Sequence, residues 1–116
     1  NPWSLNSIAA YAGERMFSDT DYYKKTRELI CSERTYMFDE LKKNPNFKPY
    51  KAYANFILVE ILKEGVTSFD VFEKAIKNRL MIRDCSSFES LAGEFFRFCI
   101  MNPADNRRLL DVLNQI

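Results

Sequence analysis

Phe95-Phe96-Arg97-Phe98-Cys99-Ile100-Met101, bounded by Gly93 and Pro103, is the stretch on which the fold turns. It is short, apolar and rich in aromatics, and its flanking breakers predict a buried β-strand. Arg97 interrupts that pattern. A guanidinium keeps its charge in any protein, and burying one without a partner is very costly. Something anionic is therefore expected to meet Arg97, either a carboxylate of the same chain or an anionic ligand.

A second run, Ala54-Asn55-Phe56-Ile57-Leu58-Val59-Glu60-Ile61, is apolar on both faces for much of its length and predicts a strand of a covered sheet. Between the two runs, Thr67 caps a helix reaching about Asn78, with Asp70 placed for the first-turn amides and Phe69, Phe72 and Ile76 as its buried stripe. Leu80-Met81-Ile82 reads as a further short strand leading into Arg83-Asp84, and residues 86–93, which lack a period, read as a loop. Asn102-Pro103-Ala104-Asp105 combines cap, first-position proline and first-turn acid, opening a helix buried through Leu109, Leu113 and Ile116 with Leu110 and Val112 alongside.

Toward the N-terminus, Ile8, Tyr11, Ala12, Arg15 and Met16 fall at helix spacing from Asn6 or Ser7, with Gly13 as the weak point. Ser18-Asp19-Thr20-Asp21 breaks that helix and caps a longer one, about Asp21 to Lys43. Its apolar stripe is Tyr23, Ile30, Met37 and Leu41, while Lys24, Lys25, Glu28 and Glu33 face elsewhere. Asn44-Pro45-Asn46 ends it, and Phe47 to Lys51 forms a short strand that Pro49 confines to an edge. The resulting expectation is an α/β fold, an α+β two-layer sandwich with helices on a mixed or antiparallel sheet of three to four strands. Residues 1–116 make a single domain, without internal repeat or second core.

Composition narrows the function classes. Seventeen basic and sixteen acidic side chains leave a formal charge of +1, which gives no footprint for nucleic acid or an anionic membrane. No stretch reads as a transmembrane helix or a signal peptide, so a soluble, cytoplasmic chain is expected. A start at Asn1 rather than Met leads us to expect an excised segment. Three cysteines and no histidine exclude a disulfide framework, the usual zinc arrangements and Cys-His or Ser-His catalysis within this chain. Cys31 and Cys99 read as small core residues, and Cys85 as accessible. With three glycines there is no phosphate-binding loop, and the scattered carboxylates define no acid–base pair. Lys24-Lys25 and Arg107-Arg108 read as solvated surface.

What survives is a pair of arginines, Arg83 at the end of one strand and Arg97 inside another. The intervening loop is long enough to make those strands neighbours, and two guanidiniums at one mouth suit bidentate recognition of carboxylate or phosphate. A local reading is equally physical: Arg83 pairs with Asp84 or Glu89, and Arg97 with Glu94 or Asp105. Spacing leaves both open.

The order Pro2-Trp3-Ser4-Leu5-Asn6-Ser7, Tyr53-Ala54-Asn55-Phe56-Ile57-Leu58-Val59, Leu80-Met81-Ile82-Arg83-Asp84, Phe96-Arg97-Phe98 and Asn106-Arg107-Arg108-Leu109-Leu110 resembles the C-terminal third of histidinol-phosphate aminotransferases. It is also similar to the threonine-phosphate decarboxylases of cobalamin synthesis, and both are fold-type I pyridoxal-phosphate enzymes. The resemblance implies an aminotransferase small domain, with residues 1–20 as linker and helix from the large-domain junction and 21–116 as the core. It implies that Arg97 binds the α-carboxylate of an amino-acid substrate and that Arg83 holds a phosphate or other distal anionic group. Asn6 and Asn55 match family positions and read as structural.

The family's Schiff-base lysine, its aspartate for the pyridine nitrogen and its cofactor-phosphate ligands lie upstream of the Pro2-Trp3 segment. No catalytic, cofactor-binding or metal-binding residue is therefore expected in this chain, which alone should be inactive and bind no cofactor. The full-length enzyme of amino-acid biosynthesis would carry pyridoxal 5'-phosphate on its own large N-terminal domain. It would act as a homodimer on a small amino acid and a 2-oxo acid. Tyr53 departs from the small residue usual before Ala-Asn-Phe, and Cys85-Ser86-Ser87-Phe88 does not assign the subfamily. A threonine-phosphate decarboxylase-like domain and a non-catalytic module for small anions are the alternatives.

Overall fold

A computed structural model of the chain describes residues 4–116; Pro2 and Trp3 of the resemblance lie outside them. Two helices come first, α1 (Ser7–Ser18) and α2 (Thr20–Lys43), followed by β1 (Phe47–Pro49), β2 (Phe56–Ile61), α3 (Ser68–Lys77), β3 (Arg83–Asp84), β4 (Phe95–Cys99) and α4 (Pro103–Leu113). The strands form one antiparallel sheet in the order β1-β2-β4-β3, which resolves the expected mixed or antiparallel sheet in favour of the latter. Pro49 lies in an edge strand, where its missing N–H costs no ladder bond.

Each helix starts where the sequence places a cap. The side chains of Asn6, Asp19, Thr67 and Asn102 accept from first-turn amides of α1, α2, α3 and α4, and Thr67 with Asp70 completes a reciprocal capping box. At the other end of α3, the Arg79 N–H donates to the Ile76 carbonyl and the Leu80 N–H to the Ala75 carbonyl, 2.8 and 2.9 Å. This double closure puts Arg79 at φ 58°, the left-handed conformation that glycine adopts without steric cost. Leu80 is then buried in the same core as Val71 and Ala75 of that helix.

Helices α2, α3 and α4 cover one face of the sheet and enclose the core. Met37 and Leu41 of α2 meet Phe47, Ile57, Val59, Phe96 and Phe98 from the strands, with Val71, Ala75, Leu109 and Leu113 closing over them. The alternation along β2 is clear: Ile57, Val59 and Ile61 are buried, and Phe56, Leu58 and Glu60 are half-exposed on the far side. The expectation of a sheet covered on both faces therefore fails within this chain.

Three further expectations are corrected. The buried side of α3 is Ser68, Val71 and Ala75, while Phe69 and Ile76 are exposed and Phe72 half-buried, because α3 lies along the β3 edge of the sheet and turns these large side chains outward. The first half of α2 projects past the sheet: Tyr23 is exposed and Ile30 half-buried, since 24 residues span ~36 Å and only the last turns reach the core. Leu80-Met81-Ile82 is not strand; pairing with β4 begins at Arg83.

Glu33, expected on a solvated face, is instead buried against α4. Asn106, fully buried, donates from Nδ2 to Glu33 Oε2 (2.8 Å) and to the Met101 carbonyl (2.9 Å), and its Oδ1 accepts from the Met101 N–H (3.0 Å). One amide thus satisfies the backbone where β4 gives way to α4 and ties both to α2. Removing it strands a buried carboxylate and two backbone groups, so Asn106→Ala is expected to destabilise by about 2–4 kcal/mol in urea denaturation. Arg79→Gly relieves the left-handed conformation and should stabilise by about 1 kcal/mol in the same measurement.

Candidate functional site

β4 is the strand that brings the two arginines together. Phe96 and Phe98 point to the helices, so Arg97 and Cys99 take the opposite face by the two-residue period of the strand. In the antiparallel register Arg97 lies opposite Leu58 on one side and opposite Arg83 on the other, and directly opposed residues share a face. Gly93, at φ 132°, turns the chain from the 85–94 loop into β4 in a conformation open mainly to glycine. Arg97 is exposed, not buried as the hydrophobic run predicted, because among the described residues no helix covers it. The burial argument for an obligatory partner therefore does not apply to this chain.

Arg83 and Arg97 line one cleft of about 840 Å³, together with Phe56, Asn55, Ser86 and Cys99. Among the described residues neither guanidinium makes an ion pair with a carboxylate. Asp84, Glu94, Asp105 and Glu60 are engaged elsewhere. Asp84 accepts from the Ser68 hydroxyl (2.7 Å), the Ser86 N–H (2.8 Å) and the Ser86 hydroxyl (2.8 Å). Glu94 accepts from the Ser68 N–H at the start of α3, 2.6 Å. Asp105 takes Arg108 and Asn102, both at 2.8 Å, and Glu60 takes Lys48 (2.9 Å) and the Tyr50 hydroxyl (2.7 Å). Arg83–Asp84 and Arg97–Glu94 or Arg97–Asp105 pairing, left open by spacing, is not formed; nor does Glu89 bridge to Arg83.

What the guanidiniums do meet is aromatic. The Cζ of Arg97 stands 5.2 Å from the Phe56 ring centroid and 5.9 Å from that of Phe88, and the Cζ of Arg83 is also 5.9 Å from Phe88. An aromatic face attracts a cation through its quadrupole without cancelling the charge. The cleft keeps two formal positive charges whose N–H donors are free of carboxylates, suited to a ligand with two anionic groups or one doubly charged group.

The electrostatics of the neighbours are consistent with this division. Burial works against the charge of Asp84, but the Ser86 amide, the Ser68 and Ser86 hydroxyls and the Arg83 charge outweigh it and hold its carboxyl below the usual range. Tyr50 and Lys48 likewise hold Glu60 low. Burial pushes the Cys85 thiol up, with the Arg97 charge pulling the other way. The three cysteines reverse their expected places: Cys85 is buried, whereas Cys31 and Cys99 are exposed. Cys99 belongs to the cleft because it shares the Arg97 face.

Among the described residues no lysine lines the cleft. Among the described residues no group of three or more acidic, Cys or His side chains is arranged to hold a metal, and no helix is long and apolar enough to cross a membrane. Asn6 caps α1 through its side chain, and the Asn55 carbonyl accepts from the Ile100 N–H (2.8 Å) while its residue borders the cleft. The aromatic neighbours Phe56 and Phe88, and the serines that occupy Asp84, were not singled out from sequence as site residues.

The site and fold define an α/β domain with an antiparallel sheet and a cleft, bordered by β2, β4, the β3 edge and α3, that is lined by two arginines. Residues 1–113 match the family of class I and II aminotransferases, and the chain belongs to that family. It is 31% identical over 114 residues to a histidinol-phosphate aminotransferase of Methanothermobacter thermautotrophicus, covering 98% of this chain and 31% of that protein. It is 29% identical over 115 residues to a threonine-phosphate decarboxylase of Salmonella typhimurium, covering 99% and 30%. The solved histidinol-phosphate aminotransferase of Clostridium acetobutylicum superposes with a TM-score of 0.83 at 28% identity, over 99% of this chain and 34% of that one. The chain therefore spans about a third of the length of these relatives. Pyridoxal phosphate is the cofactor of the family.

The depressed carboxyl of Asp84 sets a pH dependence. Its folded value lies below the unfolded one, so its stabilisation is present above the ordinary carboxylate value of ~3.9 and is lost as pH falls below that through the folded value. Asp84→Asn should lower stability near neutrality and flatten the acid limb below pH ~4, measured by urea denaturation across pH.

Proposed function

We propose that the chain is the C-terminal small domain of a cytoplasmic, pyridoxal-phosphate-dependent aminotransferase of the histidinol-phosphate type, in which it recognises the anionic groups of the substrate. One observation carries the reading: two guanidiniums without carboxylate partners, opposed across β3 and β4 in one cleft. Arg97 takes the carboxylate of the amino acid and then of the 2-oxo acid, its planar fork fixing the orientation of the carbon that reacts. Arg83 takes the phosphate or other distal anionic group, so the two cations grip the substrate at both ends. The bound cofactor supplies the electron sink, and the upstream domain supplies the lysine that holds it.

Without that domain the chain is inactive and serves only recognition. Its partners are that domain and, in the full-length enzyme, a second subunit. The length of the relatives and the exposed apolar side chains of α1 support this placement. Ile8 is 82% and Phe17 87% exposed, and α1 touches the rest of the chain mainly through α2. Surfaces of that kind mark sites of association.

A threonine-phosphate decarboxylase-like activity is the second reading, favoured by near-equal identity to the Salmonella enzyme. It keeps both arginine roles and breaks a different bond at the same carbon. Amino transfer to 2-oxoglutarate, set against carbon dioxide release from phosphothreonine, separates the two in the full-length enzyme; absence of both favours a non-catalytic module for small anions.

In that enzyme Arg97→Ala is expected to lower kcat/KM about 10²–10³-fold, the scale of removing one partner of a desolvated charge pair. Arg83→Ala should cost a comparable factor with a phosphorylated substrate and little with a short, unphosphorylated one. Unchanged affinity in Arg97→Ala would remove the anchor role.

A further inference from the structure

Resting on the two-arginine reading, we infer that Phe88 is a positioning residue of the anion site, its ring holding Arg83 and Arg97 in place together while leaving both charged. The two guanidiniums lie opposite each other on adjacent strands, an arrangement in which like charges repel. Among the described residues no carboxylate forms an ion pair with either guanidinium, and Asp84, which acts on Arg83 through its charge, spends its hydrogen bonds on Ser68 and Ser86. The one group within cation–π reach of both is the Phe88 ring, at 5.9 Å from each Cζ.

A carboxylate in that place would also have relieved the repulsion, but by occupying the N–H donors and cancelling the charge that draws a ligand. An aromatic ring attracts through its π face and accepts no strong hydrogen bond. The backbone that carries the ring is also held. The Phe88 N–H donates to the Cys85 carbonyl and the Phe88 carbonyl accepts from the Leu91 N–H, both at 3.0 Å, so two successive turns fix its loop. Phe56 steadies Arg97 from a second side at 5.2 Å, whereas Phe88 is the aromatic contact of Arg83. Loss of Phe88 should therefore disorder Arg83 more than Arg97.

A packing role and an electrostatic one separate by substitution. Phe88→Leu keeps most of the apolar volume and removes the quadrupole, and Phe88→Tyr keeps the ring. Calorimetric titration of the full-length enzyme with inorganic phosphate and with maleate reads both arginines without turnover. Phe88→Leu is expected to weaken phosphate binding roughly fivefold to thirtyfold, from the loss of two cation–π contacts, with a smaller loss for maleate and an unchanged melting temperature. Phe88→Tyr should stay within about twofold of the parent. In turnover, Phe88→Leu should raise KM for the phosphorylated substrate and leave kcat nearly constant.

Parent-like binding in Phe88→Leu, or equal losses in Phe88→Leu and Phe88→Tyr, overturns the inference. Phe88→Met replaces Phe88→Leu if the latter is unfolded, with the same outcomes deciding. Arg97→Ala and Arg83→Ala are titrated in parallel. If they lose affinity and Phe88→Leu does not, only the role of Phe88 fails. If they also bind as the parent does, the two-arginine reading itself fails.

Discussion

The pairing of β4 with both of its neighbours is the constraint on which the domain depends. From Phe96 to Cys99 the alternation sends Phe96 and Phe98 into the core and Arg97 and Cys99 to the open face, while Phe95, of the same parity as Arg97, is buried at the start of the strand. Phe96 packs edge-on against Phe47 at 5.7 Å between centroids and lies 6.4 Å from Phe98, so the aromatic spine of the core runs through this strand. A slip of one residue would exchange the faces, driving the Arg97 charge among Met37, Leu41 and Leu109 and turning Phe96 outward. Each apolar side chain that stabilises the register also aims the arginine. Core register and the direction of Arg97 are therefore coupled.

Much of this was legible in sequence because the signals were local. Caps at Asp19, Thr67 and Asn102 act within one turn, and each helix starts where its cap predicts. Pro49 at an edge and the strand character of Phe56 to Ile61 follow from similar short-range rules. What failed was the assignment of faces, which depends on partners distant in the chain. Phe69 and Ile76 fit a helical stripe, yet the β3 edge receives Ser68, Val71 and Ala75 instead. Glu33 reads as solvated until α4 brings Asn106 to it from 73 residues away. The cysteines were misplaced for the same reason: Cys99 follows the exposed parity of β4, while Cys85 lies just beyond Asp84, where its N–H bonds the Phe95 carbonyl at 3.0 Å.

The candidate site shows the same division more sharply. Arg97 drew attention as a charge in an apolar run, and the premise of that signal fails, since the side chain is not buried here. Its opposition to Arg83 is a matter of register that spacing allowed without requiring. The aromatic contacts could not be read at all, because Phe56 and Phe88 reach the arginines only after β2 pairs with β4 and the 85–94 loop folds back.

The network beneath the cleft explains why two arginines can stand side by side without acids of their own. Ser68 is the hinge of that arrangement: its N–H binds Glu94 and its hydroxyl binds Asp84, so one buried residue occupies two carboxylates that flank the arginine-bearing strands. Both acids gain more from these bonds than from a solvated ion pair, because amide and hydroxyl donors at a helix start are fixed in place, whereas exposed ion pairs contribute little against side-chain entropy. The first turn of α3 thereby occupies Asp84, which lines the cleft, and Glu94, so that neither forms an ion pair with the arginines. The state of the two guanidiniums is set as much by where the neighbouring negative charges are held as by the register that puts the positive ones side by side.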